Sequence, residues 1–123
     1  MSIYIDPQID LHNEETIKVI IEFKTKPAKV AVATSTTGLT LEQAKELVEK
    51  SHTAFQEELE NLLESKQLPY TITNSYKVSL NGVALELPGI AINELLASNT
   101  IKAIYIDRVI SIPKPPIDTR YQI

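Results

Sequence analysis

The pair Asn81-Gly82 constrains the fold more than any other part of the chain. Asn and Gly are the residues that most readily take the positive φ of a tight hairpin, and the apolar alternation Val83, Leu85, Leu87 resumes directly after them. The stretch from Tyr76 to Pro88 therefore reads as a hairpin, with strands over residues 70–78 and 82–87. A hairpin is marginal in water by itself, so the other segments must supply more strands and a cover for one face.

Upstream, Ile17, Val19, Ile21 and Phe23 alternate with Lys18, Glu22 and Lys24, which predicts a half-buried strand over 16–24. Ile20 breaks the polar side, either as noise or as the mark of a sheet face covered from outside the chain. Residues 1–15, with Ile3-Tyr4-Ile5, Pro7, His12 and Asn13, read only as a lead-in. After Lys26-Pro27, the small-residue, Thr/Ser-rich stretch 28–38 reads as a loop. Thr40 then offers an N-cap, Gln43 closes a capping box and Leu39 can staple onto Ala44. Leu41, Ala44, Val48, Phe55, Leu59 and Leu62 form one apolar stripe, predicting an amphipathic helix to Ser65, roughly 39 Å long. Pro88-Gly89 interrupts the sheet after the hairpin. Ile92, Leu95 and Leu96 then mark a short helix over 90–98 that Asn99 can end in the left-handed region, and 101–107 reads as a last strand.

The order strand, helix, strand, strand, helix, strand predicts an α+β, ferredoxin-like βαββαβ fold: a four-stranded antiparallel sheet with two helices on one face. One domain over 16–107 is expected, with the lead-in before it and an extended tail over 108–123, where Pro113, Pro115 and Pro116 prevent a helix. The second sheet face is left bare, and a partly apolar, extended tail is suited to lie as a strand in another protein's cleft.

Composition narrows the function classes. A net charge of −4 disfavours nucleic acid and anionic membranes, and no apolar run reaches the length of a spanning helix. Without cysteine there are no disulfides or thiolate metal sites, and the three glycines form no phosphate-cradling loop. His52 reads as an ordinary surface histidine of a charged helix, His12 has no partner in sequence, and Glu57, Glu58, Glu60 and Glu64 read as a solvated face rather than a cation site. No catalytic constellation, metal or cofactor is expected. The N-terminus lacks a basic segment followed by an apolar one, so a signal peptide is either removed or absent.

Several segments together resemble a known family. Asn81-Gly82-Val83-Ala84-Leu85-Glu86-Leu87, then Leu95-Leu96, then Ile101-Lys102-Ala103-Ile104-Tyr105-Ile106-Asp107 look like the I9-type inhibitor domain, the propeptide of subtilisin-like serine proteases. Val19-Ile20-Ile21-Glu22-Phe23-Lys24-Thr25-Lys26-Pro27 is similar to the start of propeptides from larger, Vpr-like secreted bacterial subtilases. The resemblance implies a non-catalytic folding catalyst and tethered inhibitor, secreted or at the bacterial cell surface, whose partner is a subtilisin-like catalytic domain in cis or in trans. It implies that the bare sheet face docks on two surface helices of the protease while the tail fills the substrate cleft like a cleaved product. The family places acids at two positions of the last strand's end, where they cap those helices. Asp107 matches the second and Tyr105 stands at the first, which implies a more apolar contact. The expected protease-binding residues are the outward Ala84 and Glu86 together with Tyr105, Asp107, Arg108, Val109, Ile110, Ser111 and Ile112, while Val83, Leu85 and Leu87 hold the helices. Pro113 stands near the usual processing point, and proline is a poor residue at a scissile bond, so cleavage further along the tail is consistent with the sequence.

Other readings share the fold. An RNA-binding sheet would stack bases on aromatics of its central strands, and 82–87 has none. A regulatory or interaction module of a larger protein, binding a small molecule or partner through its sheet, has no firm signature to test against. The bare face also offers a route to self-association.

Overall fold

The computed structural model describes residues 2–107. Strands β1 (Tyr4–Ile5), β2 (Thr16–Phe23), β3 (Thr71–Tyr76), β4 (Gly82–Pro88) and β5 (Ile101–Ile106) form one mixed sheet in the order β1-β5-β2-β4-β3. Helices α1 (Ala28–Thr34), α2 (Leu41–Leu62) and α3 (Ile92–Leu95) complete the α+β fold. The inner order β5-β2-β4-β3, antiparallel throughout, is the ferredoxin-like arrangement. The fifth strand corrects the expected four-stranded antiparallel sheet. The lead-in is not separate from the fold, because β1 pairs with β5 in parallel, and Ile3, Ile5 and Leu11 pack on the core beside the buried Ile9.

The period-two pattern of β2 does what it predicts. Ile17, Val19, Ile21 and Phe23 are buried and the intervening residues are half-exposed or exposed. Their face meets Val83, Leu85 and Leu87 of β4, Ile101 and Ile104 of β5, Phe55, Leu59 and Leu63 at the α2 end, and Ile92 and Leu95 of α3. Removing such side chains from water is the main drive to fold, at about 25 cal/mol per Å² of apolar surface.

The capping box at the start of α2 is present in both halves. Gln43 N donates to Thr40 Oγ1 (3.1 Å) and Thr40 N to Gln43 Oε1 (3.0 Å). The helix is shorter than expected, ending at Leu62, and the chain turns out through a 3-10 turn to Gln67 in the left-handed region. Leu41, counted in the apolar stripe, is 40% exposed.

Four other local expectations are corrected. The presumed loop 28–38 contains α1, because Ala28 packs against Ala44 and Val48 and this contact outweighs the β-branched residues of the segment. The second helix is reduced to α3, preceded by a 3-10 turn over Gly89–Ala91. Asn99 does not take the left-handed conformation, found among the described residues only at Gln67 and Gly38. Nor is Asn81-Gly82 the turn. Tyr76 faces Gly82 in the register, so the connection is the five-residue loop 77–81, and Gly82 opens β4 with an ordinary φ.

Asn81 instead is a clamp. It is 1% exposed, its Nδ2 donates to the Thr25 carbonyl (2.9 Å) and to Ser51 Oγ (3.0 Å), and its Oδ1 lies 2.8 Å from His52 Nε2. With the amide nitrogen so engaged, Oδ1 must accept and the imidazole must donate. His52, expected at the surface, is buried against the edge of Phe23, with ring centroids 4.9 Å apart. The network ties α2, the end of β2 and the 77–81 loop together.

Candidate functional site

Residues directly opposite one another in the ladder share a sheet face. The face away from the helices is therefore built by Lys18, Ile20 and Glu22 of β2, Ala84 and Glu86 of β4, and Ala103 and Tyr105 of β5. Ala84 and Ala103 are closed in by their neighbours, at 0% and 2% exposure, while Ile20 is half-buried and Tyr105 is 39% exposed. The centre of this face is low and apolar, and no helix of the described residues packs over it.

Its polar rim is locally paired. Glu22 lies 3.6 Å from Lys102 Nζ and accepts a long hydrogen bond from Tyr105 Oη (3.4 Å). Burial first, and the Glu22 carboxylate second, push the Tyr105 phenol above its ordinary pKa. Glu86 is half-buried, opposite Lys18 on one side and Thr71 on the other.

Of the residues expected to bind a protease, Ala84, Glu86 and Tyr105 lie together on this face. Asp107 follows directly after β5, where its backbone N donates to the Lys18 carbonyl (2.9 Å) and continues the β2 pairing by one step. Arg108, Val109, Ile110, Ser111 and Ile112 lie outside the described residues.

Three contributors were not evident from sequence. Tyr4 comes alongside Tyr105, with ring centroids 5.6 Å apart and planes at 44°. Asp6 continues the β1 side of β5, its Oδ2 accepting from Ile106 N (3.1 Å) and its own N donating to the Ile104 carbonyl (2.9 Å). Glu58, expected only to face solvent, accepts from Ser98 Oγ and from Asn99 N (2.8 Å), while Ser98 Oγ in turn accepts from the amides of Thr100 and Ile101. It anchors the entry of β5 as Asp6 anchors the exit. The apolar patch Ile3-Tyr4-Ile5, read in the sequence only as a lead-in, is the local trace of β1, and nothing in it names β5 as the partner.

A separate cleft of about 240 Å³ lies between α1, α2 and the 77–81 loop, lined by Ala28, Leu41, Val48 and Val78, with Lys29, Lys45, Glu49 and Lys77 around it. The Lys77–Glu49 ion pair crosses its rim at 2.9 Å. It is apart from the open face.

Comparison with known families gives one match: the model of the peptidase inhibitor I9 family aligns with residues 18–113. No curated protein and no solved structure matches the chain.

Proposed function

Because the chain belongs to the peptidase inhibitor I9 family, the subtilisin propeptide domain, we propose that its open sheet face docks on the catalytic domain of a subtilisin-like serine protease and that its tail occupies the substrate cleft. The observation that supports this most directly is the face itself. Ala84, Ala103, Ile20 and Tyr105 form a low apolar centre with Glu22, Lys18 and Glu86 around it, the mixture of buried core and polar rim expected of an association surface. Residues 16–107 are the docking body and residues 108–112 or further the arm in the cleft, launched from Asp107 beside that face.

In this reading the domain is the non-catalytic prodomain of a secreted or cell-surface bacterial protease, acting in cis as a folding catalyst and tethered, product-like inhibitor, with action in trans as a further route. Tethering makes modest affinity sufficient. At an effective concentration of ~1 mM, an intrinsic Kd of ~1 μM leaves the cleft about 99.9% occupied and stabilises the folded protease by ~4 kcal/mol. Cutting the tether removes both effects by dilution.

The test is titration of the purified chain, full length and truncated after Asp107, against a panel of subtilisin-like proteases that includes its own. Inhibition by the full chain and its loss on truncation are expected. Full inhibition by the truncated form, or no inhibition of the cognate enzyme by either form, contradicts the proposal.

A further inference from the structure

Resting on the docking reading above, we propose that the first strand, which precedes the family match, is a working part of the inhibitor: Tyr4 supplies one half of a two-ring contact for the catalytic domain of a subtilisin-like serine protease, and Asp6 positions the strand end from which the tail leaves.

The placement of Tyr4 follows from the pairing. β1 runs parallel to β5 with Tyr4 opposite Ala103 and Ile5 opposite Ile104, and Ile3 and Ile5 pack into the core. Side chains alternate along a strand, so Tyr4 falls on the open face, against the ring of Tyr105. Tyr4 is 52% exposed and Tyr105 39%, beside the closed-in Ala84 and Ala103. A pair of contacting tyrosines that keeps about half its surface in water has little to gain from the fold alone. Covered by a partner, it has the form of an association hot spot: large, stiff, apolar in body and polar at the tip. The partner is the catalytic domain because Tyr4 is continuous with Tyr105 and Ile20, the centre of the face assigned to it.

Asp6 acts through the backbone. Its Oδ2 accepts from Ile106 N, its Oδ1 from Gln8 N (3.0 Å), and its N donates to the Ile104 carbonyl, while on the other flank of β5 the Asp107 amide is held by the Lys18 carbonyl. The last residues before the tail are thus gripped from both sides. The grip is itself secured, since Ile9 is buried, Asn93 Nδ2 donates to the Leu11 carbonyl (2.9 Å) and Ile90 N to the Asn13 carbonyl (2.9 Å). A tail leaving a fixed strand end loses less freedom on entering a cleft than one leaving a frayed end.

The experiment compares the full chain with Tyr4→Ser, Tyr4→Phe, Asp6→Ala and Asp6→Asn variants against the protease that the unaltered chain inhibits best. Tyr4→Ser is expected to raise the inhibition constant about tenfold and Tyr4→Phe to leave it within about twofold. Asp6→Ala is expected to weaken inhibition and speed cleavage of the tail, whereas Asp6→Asn, which still presents an oxygen to Ile106 N, restores most of both. Nitration of Tyr4 in the unaltered chain, free and protease-bound, needs no variant and reports fold-independent contact; at least a fivefold protection in the complex is expected. Equal nitration in both states, or unchanged inhibition constants for folded Tyr4→Ser and Asp6→Ala, overturns the proposal. An unaltered chain that inhibits no protease overturns the docking reading as well, a result seen before any variant is made.

Discussion

Replacing Gly82 by alanine would put a Cβ 1.9 Å from the Ile21 carbonyl oxygen and 2.9 Å from its carbon, both main-chain atoms at the centre of the sheet. Neither can yield without parting β2 from β4, so Gly82→Ala should destabilise the fold by about 3 kcal/mol, read from the urea midpoint at constant m-value. This glycine is needed for close approach rather than for a positive φ. Asn81 teaches the same lesson from its neighbour position. Asn-Gly is legible as a turn signal because both residues tolerate left-handed backbone, yet here the Asn amide is spent on Thr25, Ser51 and His52, far away in sequence. No local pattern could name those partners, and the burial of His52 was hidden with them. Tyr105 and Asp107, by contrast, were reached in the sequence through the family resemblance alone, Asp107 as a match and Tyr105 as a departure, and Tyr105 lies on the open face with Asp107 directly after its strand.

Among the elements, the link from α2 to β3 carries a pH dependence. Tyr70 Oη donates to Glu64 across the 3-10 turn, and burial first, with the Glu64 hydrogen bond and charge behind it, pushes the phenol from 10.0 up to about 12. An unfolded chain releases this proton near pH 10, a folded one only near 12. Below pH 10 the contribution is intact, and it is lost progressively as pH rises from 10 towards 12, because the unfolded state then binds fewer protons. Titration of tyrosinate absorbance should show a late phenol that disappears in Tyr70→Phe, and the urea midpoint should fall across that window less steeply in that variant. The long elements were the legible ones. The capping box and apolar stripe specify α2, and alternation specifies β2 and β4. What escaped were elements made by tertiary contact: α1, which depends on Ala28 meeting α2, and β1, whose two residues carry no period at all.

At the scale of the molecule, β2 is the keystone, paired with β4 on one side and β5 on the other. Its Val19 and Ile21 reach partners more than 60 residues along the chain, Leu85 and Val83, and still later ones in Ile106 and Ile104. Such non-local closure cannot be completed before the last strand arrives. A chain ending at Thr100 would lose Ile101 and Ile104 from the core and leave one side of β2 unpaired, so it should show no cooperative thermal transition by circular dichroism, where the full chain shows one.

The two flanks of the sheet carry a last consequence. On one, the outermost strand is only the two residues of β1; on the other, β3 is polar, with Thr71, Thr73, Asn74 and Ser75 exposed, and its register slips between Ile72 and Asn74. A stub and a kinked polar strand are both poor templates for a further chain to extend the ladder. The described edges of the sheet are therefore protected from extending side by side into fibrils.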